Sequence, residues 1–159
     1  MKRAVVFVVV GGVLALAGAA FGANSPGTQT VTQHLHGTQT TTSTNPCTGD
    51  VIDLSESTNM VMHETFFAPP TDEAWGTFTE EDSFTGIDVG TGVTYSGHDT
   101  VWGGFNVNEQ NSTQTFTESI HAVGSDGSSV SYHQLDHITL LPDGQVSVSF
   151  TNSVMTCTA

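Results

Sequence analysis

The fold is decided by residues 138–150, which read ITLLPDGQVSVSF. Pro142 favours position i+1 of a type I turn, and Gly144 favours the left-handed conformation that closes it, so the stretch predicts a three-residue bulged hairpin. This register pairs Leu140 with Val146, Ile138 with Val148 and Asp136 with Phe150. The face of the last strand that carries both valines and the phenylalanine would then point inward. A two-residue Asp-Gly turn would instead direct every one of these side chains to the opposite face of the sheet.

The same period-two alternation, broken by Gly, Pro, Asp and Asn clusters, continues upstream of this hairpin. Because short loops separate the segments, successive strands must be antiparallel neighbours. We expect an all-β antiparallel meander closed into a single β-barrel, with a two-sheet β-sandwich as the alternative. The expected strands are Val51–Phe67, Trp75–Phe84, Gly92–Thr94, His98–Asn108, Thr113–Val123, Val130–Leu141 and Gln145–Cys157.

The N-terminus has the pattern of a secretory signal peptide. Two basic residues precede an apolar run, and Ala20-Phe21-Gly22 forms a small-x-small cleavage site. We therefore assign residues 1–22 to a signal peptide, residues 23–46 to a Thr-rich segment or first strand, and residues 47–159 to the barrel domain. An uncleaved anchor is the alternative for the first segment. We expect the mature protein to be secreted and to leave the membrane.

Cys47 and Cys157 are the two cysteines of the chain. An even cysteine count in an exported protein indicates a disulfide, and two cysteines allow one pairing. Such a bridge would join the start of the barrel domain to its last strand. The alternative is a pair of free thiols.

The charge distribution excludes several classes of partner. Lys2 and Arg3 are the only lysine and arginine, whereas all sixteen carboxylates lie between Asp50 and Asp143. Without basic side chains, the mature chain cannot bind nucleic acid through counterion release, and adhesion to anionic membranes is disfavoured. Basic proteins, cations and neutral ligands remain as partners, and we expect a monomer or a weakly self-associating protein.

Polar side chains fall on the expected inner face. The alternation that directs Ile138 and Leu140 inward also directs acidic, amide and phenol groups there. A buried carboxylate must be paired or protonated, and this chain has no Lys or Arg to pair with it. These residues either orient a small ligand in a lumen or lie hydrated near the barrel mouth. The ligand-lining candidates are Glu118, Tyr132, Gln134, Asp136 and Glu64.

Motifs for metal, cofactor or nucleophilic chemistry are missing. The sequence contains neither a Gly-x-Ser-x-Gly elbow nor a His-Glu-x-x-His motif. His133 and His137 would lie about 13 Å apart on a strand, too far for one zinc ion, so a zinc site would need histidines from adjacent strands, such as His121 with either of them. We expect no catalytic residue, metal or cofactor. Trp75 and Trp102 favour core packing, with a sugar-binding platform as the alternative.

Several short motifs resemble a group of small secreted proteins from actinobacteria and related soil bacteria. They are Asn45-Pro46-Cys47-Thr48-Gly49, Gly103-Gly104-Phe105-Asn106-Val107-Asn108, Gly124-Ser125-Asp126-Gly127-Ser128, His133-x-x-x-His137, Pro142-Asp143-Gly144-Gln145-Val146 and the terminal Cys157. The resemblance implies export and a one-domain β-barrel with a bridge from the Asn-Pro-Cys turn to the last strand. It carries over no catalytic residue. The total lack of Lys and Arg in the core departs from the group.

These observations predict a secreted barrel that binds a small apolar or neutral ligand without converting it. One alternative is a cyclase- or isomerase-like barrel enzyme that uses Glu118 or Asp136 with Tyr132 for acid–base chemistry. The other is an extracellular interaction protein with a filled core.

Overall fold

The computed structural model describes residues 27–68 and 73–158. They form seven antiparallel strands in one sheet, whose spatial order follows the chain order. The all-β meander expected from the sequence is therefore confirmed, and the two-sheet sandwich is wrong for the described residues. The strands are β1 (Gln29–Thr44), β2 (Val51–Phe66), β3 (Ala74–Asp88), β4 (Thr94–Val107), β5 (Ser112–Gly124), β6 (Ser129–Leu140) and β7 (Val146–Thr158).

Closure into a barrel is not seen, because β1 and β7 do not pair within the described residues. Seven antiparallel strands place the first and last in the same direction, so closure would need a parallel pair, which is less stable per residue than an antiparallel one. The two edges are instead tied at one end. The disulfide joins Cys47, in the β1–β2 loop, to Cys157 on β7, with 5.9 Å between the Cα atoms. This bridge confirms the pairing expected from the cysteine count.

The disulfide end of the sheet holds the most deeply buried side chains. Asn45 and Asp88 are each 2% exposed. The Asn45 side-chain amide donates a hydrogen bond to the Tyr95 hydroxyl on β4 over 3.1 Å. Because Asn45 lies in the β1–β2 loop and Tyr95 in the central strand, the sheet must curl around the face that carries both. The apolar core here consists of Ile52, Tyr95, Ala122 and Val130.

Glycines on the inner, concave face make this curl possible. A Cβ added at Gly76, Gly86, Gly97 or Gly103 would lie within 3.0 Å of atoms in the neighbouring strands. Real Cβ atoms do not approach other atoms so closely, so a side chain at these positions would push the strands apart. The missing side chains let β3 and β4 bend inward.

The last hairpin has the expected turn but not the expected register. Gly144 is left-handed, with φ of 80°, and the Leu141 amide donates to the Gln145 carbonyl over 2.8 Å. Leu140 lies opposite Val146 as expected. A β-bulge then adds one residue to β7, so that Ile138 and Asp136 face the serine and threonine after the expected partners.

The inward direction predicted for Val148 and Phe150 is therefore wrong, because a shift of one residue inverts every side chain beyond it. The disulfide gives the physical reason. In the shifted register Cys157 lies opposite the inward-facing Val130, on the side over which the β1–β2 loop folds. The unshifted register would direct Cys157 outward, away from Cys47.

The Thr-rich segment forms strand β1, which is one of its two expected forms, and β1 pairs with β2 along its whole length. Strand β3 continues to Asp88, beyond the expected end at Phe84, and β4 begins at Thr94, before the expected start at His98. The separate short strand expected at Gly92–Thr94 is not formed, because Gly92 is left-handed and lies in the turn between β3 and β4. The proposed signal peptide, residues 1–22, lies outside the described residues. No helix of the described ranges is long and apolar enough to cross a membrane.

Candidate functional site

Besides Asp88 at the disulfide end, the inner face of the sheet carries seven carboxylates along its length. Even-numbered positions of β2, β3, β5 and β6 and odd-numbered positions of β4 point inward, which follows from the alternation of buried and exposed residues. Four of these acids, Glu80, Asp82, Asp99 and Glu118, lie on the central strands, and we call them the carboxyl cluster. Glu56, Glu64 and Asp136 lie closer to the two edges.

The carboxylates near the edges are bonded to neutral donors. The amides of Gln39 and Gln33 on β1 donate to Glu56 over 2.6 Å and to Glu64 over 2.9 Å. On the other side, the Gln134 amide and the Thr151 hydroxyl both donate to Asp136. Amide and hydroxyl donors of the outer strands therefore replace the absent lysines and arginines.

The members of the carboxyl cluster have mainly one another as neighbours. Asp82 and Asp99 lie directly opposite on β3 and β4. Burial, together with the charges of Glu118 and Asp82, raises the pKa of Asp99 to about 8. Burial also raises the pKa of Glu80 to about 7, together with the charge of Asp82. The cluster therefore binds protons near neutral pH, because two or more buried like charges cannot ionise together.

Two opposing influences act on the pKa of Glu118. Burial and the charge of Asp136 raise its pKa to about 7, while a hydrogen bond with Asp99 acts in the opposite direction. A protonated Asp99 beside an ionised Glu118 is the arrangement that satisfies both groups. Four buried oxygens have no hydrogen-bond partner in the described part of the chain: Oδ1 of Asp82, Oδ1 of Asp99, the hydroxyl of Tyr132 and Oε1 of Gln134.

Of the five ligand-lining candidates, four lie together and one lies apart. Glu118 and Gln134 are directly opposite across β5 and β6, and Gln134 bonds Asp136. Tyr132 lies two residues along β6 on the same face, where burial and the charge of Glu118 raise its pKa. Glu64 is on β2 and bonds the edge strand β1 instead.

Glu80, Asp82 and Asp99 were not among the candidates. The signal was present, because Phe78, Glu80, Asp82 and Phe84 share one face of β3 by simple alternation. The glycines of this region obscure the alternating pattern, because a glycine has no side chain that would mark its position as apolar or polar. Only the strand register shows that Asp99 lies opposite Asp82.

The carboxyl cluster has the chemistry of an acid–base site, because pKa values near 7 allow a group to accept and donate protons. Its burial works against that use: Asp82, Asp99 and Glu118 are each at most 7% exposed. No group of three or more His, Cys, Asp or Glu side chains in the described ranges has a metal-binding geometry.

The outer face presents large apolar side chains to solvent. Trp75 is 43% exposed and Trp102 is 57% exposed, on the neighbouring strands β3 and β4. The core packing expected for both indoles is therefore wrong. Gly104 lies on the same face between them, opposite Thr77. The indoles stand about 13 Å apart along the strands, with no side chain at the glycine to separate them.

A groove crosses the same face near the disulfide end. It has a volume of about 870 Å³ and extends from β1 to β5. Its walls are mainly hydroxyl side chains that point outward from these strands. The backbones of Gly86 and Gly124 form part of the floor. The outward hydroxyl residues of the groove are Thr40, Thr42, Ser55, Thr85, Thr94, Ser96 and Ser125.

Five histidines of the outer face are bonded to hydroxyl groups or paired with each other. His63, His133 and His137 contact Thr32, Ser119 and Thr115 on the neighbouring strands over 2.8, 2.8 and 2.6 Å. His98 and His121 lie directly opposite, with ring centroids 5.8 Å apart. The neighbour of His121 is thus His98, not the His133 or His137 considered from the sequence.

No family model matches this chain, and no curated protein or solved structure matches it. The resemblance to small secreted actinobacterial proteins remains a prediction, and the site must be interpreted from its own chemistry.

Proposed function

We propose that this protein is an exported, non-catalytic binding protein whose outer face holds a neutral carbohydrate. The observation that carries the proposal is the pair of exposed indoles, Trp75 and Trp102, on either side of Gly104. An indole buries a large apolar area and has one N–H donor, so leaving two of them in solvent is unfavourable unless a partner covers them. A sugar ring offers C–H groups to the indole face and hydroxyls to the N–H.

The rest of the outer face suits the same ligand. The groove at the disulfide end offers hydroxyl groups, which both donate and accept hydrogen bonds. Its volume of about 870 Å³ lies within the usual range for ligand sites. With sixteen carboxylates against two basic residues, the chain repels anions, which favours a neutral polyhydroxylated ligand over an acidic one.

This proposal keeps the neutral ligand expected from the sequence and moves it from the interior to the outer face. The curled sheet acts as a rigid support, so the barrel closure expected from the sequence is not needed. Export is supported by the Cys47–Cys157 disulfide, since such bridges persist in oxidising compartments. The interior ligand site and the barrel enzyme remain predictions with weaker support, because the groove opens on the opposite face from the carboxyl cluster.

Tryptophan fluorescence tests the proposal directly, because the chain contains two tryptophans and both belong to the site. The probes are cellohexaose, xylohexaose and maltohexaose, with polygalacturonate as the acidic comparison. We expect at least one neutral oligosaccharide to shift the emission to shorter wavelength and to protect the indoles from acrylamide quenching. Polygalacturonate should do neither.

Substitutions then locate the binding. Trp75→Ala and Trp102→Ala should each weaken binding roughly tenfold or more, since a central aromatic contact contributes about 2 kcal/mol. Phe150→Ala is the matched control, because Phe150 is also an exposed aromatic, 49% exposed, but lies on β7, three strands away from β4. If affinity electrophoresis shows that the double tryptophan variant still binds as tightly as the wild type, the proposal is wrong.

A further inference from the structure

Strand β7 is an exposed edge with an unusual composition. Every residue from Val146 to Thr158 is exposed to solvent. The strand contains no charged residue, no proline and no glycine. Natural edge strands usually carry such residues to prevent pairing with another chain. The exposed apolar residues of β7 are Val146, Val148, Phe150, Val154 and Met155.

The charge distribution leaves the two edge strands as the places where two copies can meet. All sixteen carboxylates lie between Asp50 and Asp143, so β1 and β7 carry none. Elsewhere, two copies would bring carboxylates together without any lysine or arginine to offset them. An approach through an edge strand keeps the acids of both copies apart.

We propose that β7 pairs with β7 of a second copy, as an antiparallel strand pair related by a twofold axis through Asn152. Val148–Thr156 lies beyond the bulge at the start of the strand and is centred on this residue. The twofold places Phe150 opposite Val154 of the second copy and joins the two sheets into one. Phe150 already stacks on His137, with ring centroids 5.2 Å apart, so its ring is held on the outer face.

The other edge, β1, fits this role less well. Its outward residues are mostly threonines and histidines, such as Thr32, His34 and Thr38, and it offers no exposed Phe, Tyr or Trp. A β7–β1 contact between copies would also be heterologous and would continue into an open filament, whereas the β7–β7 contact closes on itself. The monomer expected from the sequence is replaced here by a closed dimer.

Sedimentation equilibrium of the full-length protein and its variants tests the edge. We expect a dimer whose association strengthens with salt, because screening weakens the repulsion between two acidic bodies. Val154→Lys places an ammonium opposite Phe150 of the second copy and should weaken association roughly 100-fold. Val51→Lys is the matched control, because Val51 is 47% exposed on β2, which is not an edge strand, and should leave association unchanged.

Thr38→Lys distinguishes the two edges. Loss of association in Thr38→Lys together with Val154→Lys would indicate the β7–β1 contact and would overturn the proposal. A wild-type monomer at high protein concentration and high salt would overturn it as well. Asn152→Cys gives an independent readout: oxidation should yield a covalent dimer with Cys47–Cys157 intact, and Thr38→Cys should yield none.

Discussion

Asp88 and Asp99 are two buried aspartates on the same inner face, and their pKa values move in opposite directions. Asp88 is 2% exposed and accepts hydrogen bonds from the Thr91 and Gly90 backbone amides, each over 2.8 Å. These bonds, led by that of Thr91, lower its pKa. Asp99 is 7% exposed, and burial beside other carboxylates raises its pKa to about 8.

The difference shows what decides the charge of a buried acid in a chain that lacks Lys and Arg. Backbone amides in a turn can stabilise a carboxylate, because their N–H groups are free of the sheet ladder. An acid in the middle of a sheet has no such donors, since the neighbouring strands already use the backbone groups. Asp88 therefore belongs to the disulfide end as a structural anion, and Asp99 belongs to the carboxyl cluster as a proton carrier.

Of the predicted substitutions, removal of the disulfide should have the largest effect on the free energy of unfolding. The bridge closes a loop with a sequence separation of 110 residues, and the Cys47→Ser/Cys157→Ser variant should lose about 4–5 kcal/mol of unfolding free energy. The loss should concentrate at the end that holds Asp88. Urea unfolding measures it, and wild type treated with a reductant should reproduce it. Equal stability of variant and wild type would show that the β1–β2 loop is held without the bridge.

The substitution Asp99→Asn should have the next largest effect, and its sign depends on pH. The unfolded chain releases this proton above the ordinary pKa of 3.8, whereas the folded chain keeps it up to about pH 8. Stability of the wild type should therefore fall as pH rises from about 4 to about 8. Asp99→Asn removes this penalty and should gain about 1–3 kcal/mol at pH 8.

Asp88→Asn is the matched control and should act in the opposite direction. The folded pKa of Asp88 is lowered, so its stabilising effect is present above the ordinary value and is lost as pH falls through the lowered one. The variant should be less stable than wild type at neutral pH and approach it in acid. Urea midpoints between pH 3 and pH 8 measure both variants. If both substitutions shift stability in the same direction at pH 8, the contrast between the two aspartates is wrong.

The sequence correctly predicts which side chains of β6 point inward, but it does not do so for β7. The pairing of Leu140 with Val146 at the turn, continued by alternation along β6, places Tyr132, Gln134 and Asp136 inward, and the burial of β6 agrees because the strand has no bulge. The bulge after the Pro-Asp-Gly turn inverted Phe150, and nothing local in the sequence signals it. The constraint is long-range, since the bond to Cys47 requires Cys157 to face inward.

The candidate site was predictable to a similar extent. Buried acids without basic partners follow from composition, and Glu118 follows from the alternation of β5. The partnership of Asp82 with Asp99 could not be predicted, because it depends on the register between two strands interrupted by glycines. The exposure of Trp75 and Trp102 does not follow from residue type for a related reason: tryptophan prefers the core in general, but the face of the strand decides its exposure.

The smallest predicted effect concerns the hydroxyl of Tyr95, which connects the disulfide end to the centre of the sheet. This oxygen accepts the Asn45 amide, and the Asn45 side-chain oxygen accepts the Cys47 backbone amide over 2.9 Å. Tyr95→Phe keeps the ring and leaves one buried amide hydrogen without its acceptor, which should cost about 1 kcal/mol. The effect should not depend on pH between 4 and 8, unlike that of Asp99→Asn.

Ser119→Ala is the control, because Ser119 bonds His133 on the exposed outer face and should change stability by less than about 0.5 kcal/mol. If Tyr95→Phe and Ser119→Ala prove equal in urea unfolding, the hydrogen bond beneath the disulfide loop contributes no more than one open to water.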